Sequence, residues 1–293
     1  MTEKTTNAIF DIIKNIFLIF LLIITLYPFI NIIALSFNDA GDSIRGGIKL
    51  WPRVPTLHNY AKLLSQPNII TGFVNSFLRV IIGVSMAVLS NSMVAYVLTR
   101  KEFFFRKQLN FLYVFTMYVA GSLIPTYMLY KGMHLINNFN VYWIPWGVVP
   151  FYMIVTRTYM QGIPESLVEA AKAEGASDFV VYMKIIMPLS MPVLATIALF
   201  TAVDQWNTWF DTFLFAPKRS LTTIQFEMQR ILGATQTSGK SAAAAAGASK
   251  TASISPQSLK AAMTVVASLP IMLVYPFAQR YFVSGLTLGG VKG

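Results

Sequence analysis

Cysteine is absent from this 293-residue chain, which excludes disulfides, thiolate metal sites and a cysteine nucleophile. Histidine is nearly absent: His58 and His134 are too few for a His-rich metal or catalytic cluster. Charge is scarce as well, at 12% of residues, where soluble domains carry about 25%. Apolar residues fill the gap, at 55% of the chain. Six stretches run uncharged for the length of a membrane crossing: Asn15–Asn38, Val80–Thr99, Gln108–Tyr130, Gly132–Thr156, Ile185–Val203 and Ala261–Gln279. A helix needs about 20 mostly apolar residues to cross the hydrocarbon layer. These stretches are apolar all round, which a single soluble core does not require. The soluble class is excluded.

The expected fold is therefore an all-α integral membrane protein with six transmembrane helices. Their cores are expected near Ile16–Leu35, bent at Pro28, then Ser76–Val97, Phe111–Met128, Val141–Thr156, Leu189–Phe210 and Met263–Phe282. The first stretch is too long and apolar for a signal-peptide core, and no small-residue cleavage pattern follows it, so it reads as a retained helix. Leu63–Leu78 reads as an interfacial helix leading into the second span.

The net charge of +11 does not form a basic stripe of the kind that binds nucleic acid; it is scattered between the apolar spans. With both termini inside, the two sides carry equal numbers of Lys and Arg. Short loops weigh more, however, and Arg100–Lys107 concentrates four basic residues, which favours cytoplasmic termini. The first and last external loops then hold ten basic residues against Asp39, Asp42, Asp211 and Glu227. Such a field would draw in anions; long loops also translocate regardless of charge, so solubility explains it equally well. Residues 233–258 are Ala/Ser/Gly-rich and read as a mobile external insertion.

Between spans four and five lies IPESLVEAAKAEGASDFVVYMKIIMP. Pro164 suits a first helical turn and Gly175 a C-terminal cap. Ser177 can cap a second helix. Leu167, Val168 and Ala171 share a face opposite Glu165, Glu169 and Lys172. By composition alone this is as readily a plain amphipathic connector at the membrane surface. The spacing adds more: Glu169-Ala170-Ala171, three residues, Gly175, nine residues, Ile185, two residues and Pro188 resembles the EAA signature of type I ABC importer permeases. Met187 stands where leucine is usual in that family, a volume-conserving change. The resemblance implies a cytoplasmic coupling helix between spans four and five, docked on an ATPase subunit. It extends through Asn59-Tyr60, Asn75-Ser76, Tyr96–Arg100, Trp206-Asn207-Thr208-Trp209 and the tail from Tyr275 to Gly289, which are similar to the MalG-like half of the maltose-type carbohydrate permeases. The long external loops look closest to the subgroup that imports oligosaccharides from polysaccharides, including alginate.

Two motifs are decoys. Gly233…Gly239-Lys240-Ser241 resembles a phosphate loop, but Ala234 occupies the first glycine position and no buried strand precedes it. Gly285…Gly289 has the spacing of a helix-dimer motif, but it lies past the last span and reads as a turn-rich tail. Arg79, Asp204 and Asp211 are charges in or near spans. Such charges face a bundle interior or a wet cavity, although Arg79 and Asp211 can equally snorkel at an interface. Asn75, Arg79, Asp204, Trp206, Asn207 and Trp209 are the candidate substrate-path residues, since aromatic rings stack on sugar faces while amides and carboxylates bond hydroxyls. An interfacial belt is the plainer account of Trp206–Trp209.

The resemblance implies residues 1–71 as first helix and external loop, 72–283 as an ABC type-1 permease domain and 284–293 as a cytoplasmic tail. It implies one permease subunit of an ATP-driven sugar importer in a bacterial inner membrane, not an enzyme. The partners would be a second permease, a homodimeric ATPase, an external solute-binding protein, membrane lipid and an oligosaccharide, with no nucleic acid. No cofactor is expected in this chain, ATP and Mg belonging to the ATPase. The rivals are an amino-acid or peptide ABC permease and a secondary transporter; no internal repeat of the kind common in the latter is evident.

Overall fold

A computed structural model gives the backbone of residues 2–119, 121–242 and 256–288, with side chains described at 10–119, 121–233, 257–274 and 276. The described residues are helical apart from loops and one isolated antiparallel bridge, Asn38 to Pro55. The helices are α1 Thr2–Ser36, α2 Ala40–Ile44, α3 His58–Leu64, α4 Pro67–Thr99, α5 Arg106–Tyr118, α6 Leu123–Gly132, α7 Pro150–Gln161, α8 Glu165–Ala173, α9 Asp178–Val181, α10 Met187–Leu189, α11 Met191–Asn207, α12 Phe210–Phe215, α13 Ile224–Ala242 and α14 Pro256–Leu288. Two compact units emerge, one of residues 1–69 with 228–269, the other of 70–227 with 270–293.

Among the described residues, three helices are long and apolar enough to cross a membrane: Phe10–Ser36, Pro67–Thr99 and Gln257–Val274. The pair Asp178–Leu189 and Met191–Asn207, bent by 78°, makes a fourth if taken as one broken span. The other expected crossings are interrupted, each for a chemical reason. Phe111–Met128 is divided between the end of α5 at Tyr118 and the start of α6 at Leu123, because Pro125 lacks an N–H and is accommodated only in the first turn of a new helix. Val141–Thr156 begins as two 3₁₀ turns around Pro145, and α-helix starts only at Pro150. The fifth helix stops at Asn207, short of Phe210, and Thr208 is extended. Leu63–Leu78 is not a separate interfacial helix: α3 ends at Leu64 and Pro67 opens the long α4. Helix α1 runs through Pro28, and α14 through Pro270 and Pro276.

The sequence also misplaced two boundaries. Residues 233–242, expected in the mobile insertion, continue α13, so the backbone of the phosphate-loop decoy is helix up to Ala242. Residues 284–288, expected as turn-rich tail, belong to α14. Residues 256–258, the end of the expected insertion, already open α14, while 243–255 and 289–293 lie outside the described residues.

Within the first unit, α1 exposes an almost unbroken apolar surface from Phe10 to Ile30. The chain after it closes into a polar knot. Asn38 donates to the Asp42 carboxylate at 3.0 Å, and its oxygen accepts from the Val54 N–H at 2.9 Å. Asn59 is buried and donates to the carbonyls of Ser36 and Asn38, while Tyr60 shares a hydrogen bond with Ser36 at 2.7 Å. Asn59-Tyr60 thus ties α3 to the end of α1.

Candidate functional site

Helix α8 is short, and its end is fully determined. Gly175 has φ +83°, the Gly175 N–H bonds the Lys172 carbonyl and the Ala176 N–H bonds the Ala171 carbonyl, the paired bonds of a Schellman turn. Lys172 then reaches Asp178 across the turn at 3.0 Å, and this bond holds its ammonium above the usual lysine range. Ser177 caps α9 through the Val180 N–H. A π-turn follows over Tyr182–Ile186, in which the Met187 N–H bonds the Tyr182 carbonyl. Pro188 has no N–H to offer Lys184 and crowds its carbonyl, and the wider turn carries the chain past that gap. Pro188 itself is exposed, whereas Ile185 packs on the core.

The inner face of this connector is tightly seated. Val168, Ala171, Val181, Tyr182 and Ile186 pack with Ala95, Tyr96 and Leu98 of α4 and with Met153 and Met160 of α7. Ser92 and Tyr182 share a hydrogen bond at 2.7 Å, and the Tyr96 and Tyr182 rings lie 5.4 Å apart. Arg100, at the end of α4, bonds Glu165 at 3.2 Å and lies over the Tyr96 ring. The outer face, Glu169, Ala170, Lys172 and Ala173, is exposed. The connector is rigid inward and open outward.

A second polar constellation joins α4 to α11 and α12. Arg79 has no exposed surface; its guanidinium grips Asp211 through two bonds, at 2.6 and 3.2 Å, and also bonds Gln205 at 2.9 Å. It takes the Thr208 carbonyl at 3.1 Å, an acceptor left open where α11 stops, and lies 4.5 Å from the Tyr142 ring centroid. Gln205 in turn donates to the Tyr142 carbonyl. Arg79 therefore neither snorkels nor faces an open path; it is enclosed and fully engaged. Asn75 donates to the carbonyls of Ser220 and Thr222, both at 2.9 Å, while Ser76 accepts the Ile224 N–H at the start of α13. Gly72 makes that approach possible, since a Cβ there would stand 3.1 Å from the Thr223 backbone.

The remaining candidates divide by exposure. Trp206 is buried, packs edge-on against Phe73, and lines an apolar cleft with Val80, Val203 and Val274. Asp204 is exposed and accepts the Tyr152 hydroxyl at 2.9 Å. Asn207 is exposed and accepts from Gln225 at 3.4 Å, while Trp209 is half-buried against Phe210 and Phe213. Sequence reasoning missed Gln205, Tyr142 and Tyr152, and weighed Arg79 and Asp211 separately. Opposite charges at similar depth are expected to pair, and that rule held the missing signal. Among the described residues, no cluster of His, Asp and Glu could hold a metal ion.

The family described as "binding-protein-dependent transport system inner membrane component" matches residues 92–288. The chain is 34% identical to the polygalacturonan/rhamnogalacturonan transport system permease protein YtcP of Bacillus subtilis (strain 168), covering 98% of this chain and 99% of that one. It is 27% identical to the arabinooligosaccharides transport system permease protein AraQ of Halalkalibacterium halodurans, over 99% of this chain and all of that one. A chain from the crystal structure of a bacterial ABC transporter that imports the acidic polysaccharide alginate superposes with a TM-score of 0.85 at 25% identity, covering 94% of this chain and 98% of that one.

Proposed function

This chain belongs to the family of binding-protein-dependent transport system inner membrane components, and from that premise we propose that it is one of two permeases in an ATP-driven importer of acidic oligosaccharides. That it is a sugar-transport ABC permease rests on the family and its full-length relatives. Working with an external solute-binding protein follows from the family itself. The finer reading is ours. The geometry that carries it is the outward-facing α8, locked at Gly175 and seated on α4 and α7. A push on Glu169 and Ala170 from an ATPase subunit is transmitted through the buried Val168, Ala171 and Tyr182 to α4, and through Ile185 and Pro188 to α11. Packed elements shift as rigid bodies between discrete arrangements, which is what alternating access requires. ATP and Mg belong to that ATPase; no cofactor is assigned to this chain.

The path is proposed to run past Asp204, Asn207 and Trp209, whose positions on α11 and just beyond it leave polar atoms and a ring accessible. Asn75, Arg79 and Trp206 shape it by fixing the helices behind. Both termini are placed in the cytoplasm, the orientation that puts α8 on the ATPase side. Two observations support an acidic substrate: polygalacturonan and alginate, named for two of the similar proteins, are both polyuronates, and the net charge is +11. The test compares uptake of uronate and neutral oligosaccharides by the reconstituted importer across a salt series, before and after Lys218→Gln with Arg219→Gln. Uronate uptake is expected to fall with both salt and neutralisation while neutral uptake does not, because screened fields lose their reach. Equal losses for both substrates, or none, would remove the acidic assignment and leave the permease intact.

A further inference from the structure

Arg100–Lys107, the link from α4 to α5, carries a charge and aromatic pattern that the transport reading does not use. It follows directly on a membrane-crossing helix, so it lies at headgroup level whichever way the chain is oriented. Phe103 is half-buried against the core beneath α8, which anchors the link. Beyond it Phe104 is 81% exposed and Phe105 56%, their rings edge to face at 5.1 Å. Two neighbouring phenylalanines this bare need an apolar medium or a partner.

The surrounding cations lack a counterion. Arg100 is taken by Glu165, but Lys101, Arg106 and Lys107 form no ion pair among the described residues. Arg157, on α7 four residues before its end, joins them: it donates to Asn110 at 2.8 Å, while its buried Nε has no hydrogen-bond partner. Burial first, and then the neighbouring Arg106, hold the Arg157 guanidinium below its usual value. The nearby acid is Glu102, whose field also acts on Lys172. Arg106 and Lys107 further occupy the first turn of the thirteen-residue α5, where Phe105 offers no side-chain cap and no acidic residue is present. A helix start favours negative charge, and this one presents two positive ones. A single external anion resolves both conflicts.

We propose that Lys101, Phe104, Phe105, Arg106, Lys107 and Arg157 form a docking surface for anionic phospholipid. The headgroup phosphate sits between Arg106, Lys107, Arg157 and the first N–H groups of α5, and the two exposed rings enter the acyl layer beside it. The inference is independent of which substrate is carried.

The test places the full-length chain in nanodiscs of phosphatidylcholine with or without phosphatidylglycerol, brominated on the acyl chains of one lipid at a time. Emission added by F104W over the parent is expected to be quenched more by brominated phosphatidylglycerol than by brominated phosphatidylcholine. R106Q with K107Q should reduce that preference by roughly fivefold per charge removed at low salt, and added salt should do the same. Equal quenching by the two lipids would reduce the surface to an apolar belt; no quenching by either would place a soluble partner there; both overturn the proposal. So would loss of the preference to added inorganic phosphate alone. A second readout needs no tryptophan: phosphatidylglycerol retained by the purified parent chain, counted by native mass spectrometry, should be lost in R106Q/K107Q. Unchanged retention also overturns it.

Discussion

At Arg79 a full charge sits at zero exposure in an apolar helix, and its fourfold engagement explains how it is tolerated. Removing one partner of a buried pair leaves the other uncompensated, at a cost of about 3–5 kcal/mol, whereas replacing both with apolar residues is often neutral. Asp211→Asn should therefore lower the thermal midpoint of the solubilised chain markedly, and Arg79→Met with Asp211→Leu should recover much of the loss. A single variant melting with the parent would show that the pair does not hold α4 to α12. A gentler case is Asp42. The Asn38 hydrogen bond and then Arg53 outweigh burial and hold its carboxyl below the ordinary 3.8. A group lowered in the folded state stabilises fully above its unfolded pKa, and that contribution fades as pH falls through the folded value. Exchange of the Asp39 and Thr56 amides, bonded to Val54 and Phe37, should accelerate relative to its intrinsic rate below about pH 4. In Asp42→Asn that acid-dependent increase should be missing.

The helices end where the chemistry of proline, glycine and small caps requires, and much of this was legible. Gly175 and Ser177 were readable as punctuation because capping is local. The π-turn at Tyr182–Ile186 was not, since it depends on how the connector must re-enter the bundle around Pro188. Proline also misled: the apolar stretches around Pro125 and Pro145 have the composition of spans, yet the backbone breaks there. Gly175 provides the prediction for α8. A Cβ there would meet nothing within 4 Å, so any cost is backbone strain at φ +83° and not a clash; such strain costs about 1–3 kcal/mol. Gly175→Val should leave insertion and assembly with the second permease unchanged while uncoupling ATP turnover from transport. Gly175→Asn, which tolerates the left-handed region, should retain most coupling. Full transport in the valine variant, with turnover unchanged, would end the coupling assignment.

For the molecule as a whole, the absence of cysteine gives a clean background for mapping the path. Single cysteines at Asp204 and Asn207 should react with a water-soluble thiol reagent, and one at buried Trp206 should not. Labelling confined to Trp206 would reverse the proposed path. The sequence by itself determined the class, because uncharged runs of this length can be satisfied only by lipid or by other helices. It also determined the first half of the connector: Glu169 to Ser177 lies within one short stretch, and its caps are set by neighbours along the chain. Only the tertiary structure decided the rest. Asn75 meets Ser220, Arg79 meets Asp211, and Tyr152 meets Asp204 across separations of 145, 132 and 52 residues. Hydrophobic periodicity carries no record of which polar groups at similar depth will face each other. That is settled by the packing of α4 and α7 against α11, α12 and the turn before α13, where each buried donor must find its acceptor.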